Sequence, residues 1–241
     1  MMRPVVTETR RILKPTGSAV FILQPNSEHV GQMRGWLWEF MAWVCREWNM
    51  VQDVWWWNTC TLPTTHTQRR YGLLRMSIKS CVWLGEPNCY RNQAGVLWSE
   101  SKDNARRRAE QRLAGKFPTW ESPSGYTTND KRARTTLVER GGVTPFNLLP
   151  IGASQNKSSH GASTPFKLVD WWTRYICPPG GTVADWFMGS GTMGVVAVQN
   201  ECSFVGIEKM PGKGYFETAQ ERIAAAVEKA AQPKQLTIED L

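Results

Sequence analysis

The stretch that decides the fold is "PPGGTVADWFMGSGTMGVVAVQNECSFVGIE", residues 178–208. "TVADWF" is a short apolar run bounded by turn residues, which predicts a strand. "TMGVVAVQN" has helical character and "SFVGIE" reads as the next strand. Between the first strand and the helix stand Gly189 and Gly191, which have no Cβ to block the approach of a ligand to backbone. A helix starting near Thr192 aims its free N–H groups at the same place. Glu208 closes the second strand, where an acidic residue of a doubly wound fold accepts hydrogen bonds from ribose hydroxyls. Strand, glycine turn, helix, strand and acid in that order predict a site for a nucleoside-type cofactor. A lone G-x-G would not, because a tight βα turn without a ligand uses the same residues.

Outward from this core the alternation continues. "TPFKLVDWWTRYI" before it predicts a helix, and "YFETAQERIAAAVEKAAQ" after it predicts a long helix with Tyr215, Ala219, Ile223 and Val227 on one stripe. Toward the N-terminus, residues 5–14 read as an amphipathic helix stopped by "PTG", and "SAVFIL" (18–23) as a buried strand. Residues 28–48 read as a helix with Trp36, Phe40, Trp43 and Val44 along one face. "VQDVWWWN" and "SCVWLG" read as strands, and 103–114 as a basic helix. The expected class is α/β: a doubly wound, mostly parallel, Rossmann-like sheet.

The 241 residues suffice for one sizeable domain or one domain with an insertion. A hydrophobic fraction of 41% with a mean hydropathy of -0.42 excludes a disordered chain. No apolar run is long enough to span a bilayer, and "MMRPVVTETRR" has no secretory core, so a cytoplasmic protein is expected. The six cysteines form no C-x-x-C pair and the three histidines are scattered, so neither a metal site nor a disulfide framework is expected. Net charge is +8, which favours a polyanionic partner. The charge concentrates in residues 101–140, beside turn signals such as "SPSG" and "TTND".

The glycine stretch resembles the S-adenosylmethionine motif of the DNA amino-methyltransferases, which modify N6 of adenine or N4 of cytosine. Asp185, Phe187, Gly189, Ser190, Gly191, Thr192 and Glu208 match that motif. Trp186 stands where proline is usual and Met193 where threonine is usual. "HGASTPFKLVDWW" is similar to the family's preceding helix motif, so Thr164 and Lys167 join the residues expected near the cofactor. His160 belongs to the same motif and reads as structural. "ETRRILKPTGSAVFIL" and "SCVWLGEP" are similar to further family segments, and their order is that of the circularly permuted beta group.

The resemblance implies a methyltransferase domain at 1–100 and 151–241, with a basic target-recognition insert at 101–150. Arg106, Arg107, Arg108, Lys131, Arg132 and Arg134 are then the candidates for phosphate contacts to double-stranded DNA. Duplex DNA is the expected partner; RNA or a small molecule is the alternative, and the basic insert argues against the small molecule. The family's catalytic motif, a polar residue followed by Pro-Pro and an aromatic ring, is absent. The only Pro-Pro, Pro178-Pro179, is followed by Gly180 and forms the turn before the cofactor strand. Two expectations follow: a chain shortened at its N-terminus, preferred for simplicity, or a split enzyme whose loop comes from another chain. Either leaves two unpaired sheet edges, which favour association, a homodimer included. A non-catalytic module that binds cofactor or DNA is the alternative. Seven tryptophans between Trp36 and Trp57 read as core rather than as a base-stacking platform.

Overall fold

The computed structural model describes residues 2–59, 70–74, 76–98, 114, 142–152, 164–209 and 214–232. The chain divides into two compact units, one of residues 1–92 with 147–241, the other of residues 93–146. In the second unit the described residues include a 3-10 turn at Ala94–Val96 and an antiparallel bridge between Trp98 and Val143.

The first unit opens with helix α1 (Met2–Ile12), which buries Val6 and Thr9, three positions apart on one face. Strand β1 (Ser18–Leu23) follows. Residues 28–34, expected to begin the next helix, form a hairpin instead, β2 (Ser27–His29) with β3 (Gln32–Met33). Gly31, at φ +81°, makes the reversal, a conformation that has no place in a right-handed helix. Helix α2 (Trp36–Glu47) then buries Leu37, Phe40 and Val44. Trp36 and Trp43 lie half-buried against that cluster, whereas Trp38 is exposed.

Strands β4 (Met50–Trp57), β5 (Ile78–Gly85) and β6 (Leu148–Pro150) complete a four-stranded sheet in the order β1-β5-β4-β6. Along β4, Trp56 is buried and Trp57 exposed, the alternation a strand imposes. The α/β class is the one expected, but strand direction is more mixed than a mostly parallel sheet. β5 runs antiparallel to both neighbours, and β4 with β6 is parallel. β5 is buried from Ser80 through Gly85. A strand covered on both faces reads as a continuous apolar run in either direction, so the pattern carries no sign of direction.

Side chains of β5 alternate between two layers. Val82 and Leu84 join Val6, Phe21, Leu37, Phe40 and Val44 under α1 and α2. Trp83 points the other way, against Trp172 and Tyr175 of helix α3 (Phe166–Ile176).

The glycine stretch forms a second, separate sheet: β7 (Thr182–Asp185), helix α4 (Thr192–Gln199) and β8 (Ser203–Gly206), with β7 and β8 parallel. Helix α5 (Tyr215–Ala231) packs on α4. Its stripe is buried at Ala219 and half-buried at Tyr215 and Ile223, while Val227 is exposed. Among the described residues β1 pairs only with β5, and β7 only with β8. The two sheets are joined through helices. α3 packs on α4 while its rings cover β5, and the Trp186 indole donates to Thr9 Oγ1 of α1 at 3.0 Å.

Candidate cofactor site

The turn between β7 and α4 is built from its own hydrogen bonds. Asp185, the last residue of β7, accepts the Phe187 N–H on Oδ1 at 2.9 Å. The Gly191 N–H closes onto the Met188 carbonyl at 3.0 Å. Gly189 (φ +53°) and Gly191 (φ +77°) both take the left-handed conformation that favours glycine. Gly191 is the N-cap of α4 and its carbonyl accepts the Val195 N–H, so the helix starts where expected. The turn thus brings the positive end of α4 to the C-terminal ends of β7 and β8.

Glu208 lies just beyond β8. Its Oε2 accepts the Gly189 N–H at 2.8 Å, tying the acid to the turn. Phe187, two residues before Gly189, is 61% exposed, and Ile207, next to Glu208, is 52% exposed. Asp185, Phe187, Gly189, Ser190, Gly191, Thr192 and Glu208 are therefore brought together, from segments 19 positions apart at the Gly189–Glu208 contact. Ser190 and Thr192 are buried within this group. Thr164 and Lys167 stand at the start of α3, the first half-buried and the second exposed, with no hydrogen bond to the turn among the described residues. Arg106, Arg107, Arg108, Lys131, Arg132, Arg134 and His160 lie outside the described residues.

The two glycines that shape the helix start have packing reasons. A Cβ on Gly191 would stand 2.8 Å from the Ala219 Cβ and 2.9 Å from its Cα. A Cβ on Gly194 would meet Ile223 and Phe204. The Cβ side of Gly191 is thus taken up by helix α5. α5 also supplies a residue that the sequence reading missed: Arg222 Nη1 donates to the Ser190 carbonyl and, at 3.0 Å, to Ser190 Oγ. Its only signal is its place three residues after Ala219, on the same helix face.

Burial raises the Asp185 carboxyl above its ordinary value. The Phe187 N–H works against that rise and the Glu208 charge adds to it. A carboxyl whose folded pKa is raised contributes stability that is complete below its unfolded pKa and is lost as pH rises through the folded value. Asp185→Asn is neutral at every pH and keeps an oxygen for the Phe187 N–H. The variant should match the wild type in thermal unfolding near pH 3 and exceed it at pH 7, with the difference opening as pH rises. A variant less stable than wild type at pH 7 would contradict this account.

The sequence profile of the N6/N4 DNA methylase family matches residues 1–221. The type II methyltransferase M.PvuII of Proteus hauseri is 23% identical over 177 residues, covering 67% of this chain and 51% of the relative. The chain thus spans about half the length of that relative. Among solved structures, the cytosine-N4-specific PvuII DNA methyltransferase superposes with a TM-score of 0.58 at 19% identity, over 94% of this chain and 68% of that one. A DNA modification methylase of Thermus thermophilus gives 0.54 at 18% identity, over 92% and 75%. The M1.HpyAVI–SAM complex gives 0.53 at 15% identity, over 91% and 80%. These likenesses establish the class I methyltransferase fold. With the profile match across most of its length, the chain belongs to the N6/N4 DNA methylase family.

Proposed function

We propose that the turn at 185–192, with Glu208, binds S-adenosylmethionine. In the assembled enzyme the domain serves methyl transfer to an exocyclic amine of adenine or cytosine in DNA. The contact between the Gly189 amide and the Glu208 carboxylate carries this reading. It sets an acid at the end of β8, where ribose hydroxyls are bound in doubly wound folds, beside the amides of the α4 N-terminus. The residues present fit the group: Glu208 for the ribose, and exposed Phe187 and Ile207 for the faces of a flat base. When bound, the cofactor supplies a methyl group on a sulfonium centre. The chain's own residues hold and orient it, and such positioning is the main demand of an in-line transfer. The basic segment at 101–150 is proposed as the DNA-recognition insert, with phosphate contacts from the six cations named above.

The polar-Pro-Pro-aromatic loop is proposed to come from a polypeptide segment outside this sequence. Among the described residues β1 pairs only with β5 and β7 only with β8, and a strand paired on one side can accept an added strand on the other, which supports this reading.

Titration calorimetry with S-adenosylhomocysteine should give saturable one-to-one binding, lost in Glu208→Ala. Tritiated methyl transfer to duplex DNA should appear only when the loop-bearing segment is supplied. An absence of binding would remove the cofactor assignment. Transfer by this chain alone would remove the need for the added segment.

A further inference from the structure

We infer that Arg222, on α5, is a positioning residue for the cofactor turn. Its guanidinium fixes the Ser190 peptide, so that Gly189 to Gly191 hold the shape that receives the cofactor. The inference rests on the cofactor role proposed above for that turn.

Ser190 sits between two glycines in the left-handed region. Glycine carries no side-chain barrier to leaving that region, so the peptide between two of them is the softest point of the turn. Ser190 is nevertheless only 5% exposed. Among the described residues its carbonyl takes no backbone hydrogen bond: the Gly191 N–H goes to Met188 and the Val195 N–H to Gly191. The Ser190 carbonyl and hydroxyl are both met by one nitrogen, Arg222 Nη1. Removing it leaves a buried carbonyl and a buried hydroxyl without that partner.

The same helix face delivers the rest of the clamp. Ala219 fills the space beside Gly191, and Ile223 closes on Gly194 in the first turn of α4. Arg222 forms no ion pair with a carboxylate of the described residues, so its contact with Ser190 is not a by-product of charge pairing elsewhere. An arginine suits this position because the planar guanidinium holds the two hydrogens of Nη1 at fixed angles, one for each acceptor. A turn held in its competent shape binds at full affinity. A turn that visits other shapes binds more weakly by the fraction of time it is competent.

The experiment pairs two readouts on Arg222→Gln, Arg222→Lys and Ser190→Ala. Backbone amide exchange at Gly189 and Gly191 reports the turn with no ligand present. Calorimetry with S-adenosylhomocysteine, well below the unfolding temperature, reports affinity. Arg222→Gln should speed exchange at both glycines and weaken binding roughly tenfold, about 1.4 kcal/mol. Arg222→Lys, which keeps a donor, should recover most of both. Ser190→Ala should have a smaller effect in the Arg222→Gln background than alone, because the two groups act through one contact. If Arg222→Gln does not fold, Arg222→Lys alone should still show measurably faster exchange and weaker binding. Wild-type exchange and wild-type affinity in the variants would overturn the inference. Faster exchange in Arg222→Gln, with a wild type that binds no S-adenosylhomocysteine, would keep Arg222 as the holder of the turn and remove the cofactor reading instead.

Discussion

Gly191→Val should abolish cofactor binding and lower the stability of the chain by several kcal/mol. Two independent costs combine at this residue. The backbone is at φ +77°, where an L side chain costs about 1–2 kcal/mol and a β-branched one more. A Cβ there would also stand 2.8 Å from the Ala219 Cβ and 2.9 Å from its Cα. The second of these is backbone, so no rotamer change in α5 relieves it. Overpacking of this kind adds about 1–3 kcal/mol. Valine's two γ-carbons extend the clash beyond what alanine would meet. Either α5 moves away, which withdraws Arg222 from Ser190, or Gly191 leaves the left-handed region and the N-cap of α4 is lost. Both outcomes dismantle the turn that is proposed to hold the cofactor. Urea unfolding and titration with S-adenosylhomocysteine check the two halves. Gly191→Ala should retain part of each. A valine variant that binds as wild type would show that the turn is not the cofactor site.

This prediction marks where sequence reasoning stopped. The order of strand, turn, helix, strand and acid was legible because each step has a local cause: apolar runs, two glycines, and an acid at a strand end. The reason for Gly191 was only half legible. Its freedom of backbone is a local property, whereas the helix packed against it comes from residues 215–231. Arg222 was illegible for the same cause: on a helix with several charged residues, nothing local singles out the one that turns inward. Residues 28–34 were misread as helix because the apolar periodicity of α2 ran back past Gly31 and Gly35, one at the hairpin reversal and the other the N-cap. The direction of β5 was hidden by its burial on both faces. Trp186, noted only as a departure from proline, turns out to reach across to Thr9, which is 177 positions away in sequence.

Trp172→Ala should be the most damaging change outside the glycine turn, at about 3–5 kcal/mol for the lost side chain. Trp172 is 4% exposed and meets Trp83 of β5 at 5.6 Å between ring centres, edge to face. It meets Trp171 at 5.0 Å and 90°, a geometry that contributes beyond buried area alone. Among the described residues its buried indole N–H has no hydrogen-bond partner. Trp172→Phe therefore discards no strong hydrogen bond and should cost much less than alanine. The position matters because α3 serves two sheets that share no strand pairing among the described residues. Its rings cover β5, while Thr173 Oγ1 lies 3.9 Å from Met193 Sδ and Asp170 accepts from Asn200, both on the α4 side. Removing Trp172 loosens α3 from the β1-β5-β4-β6 sheet and leaves its contacts with α4 in place. Urea unfolding of the variant should then broaden or split, with the β7-α4-β8 segment and its cofactor site outlasting the larger sheet. A variant that loses the same free energy in one sharp transition would mean that α1, through Thr9 and Trp186, couples the two sheets strongly enough without the aromatic layer.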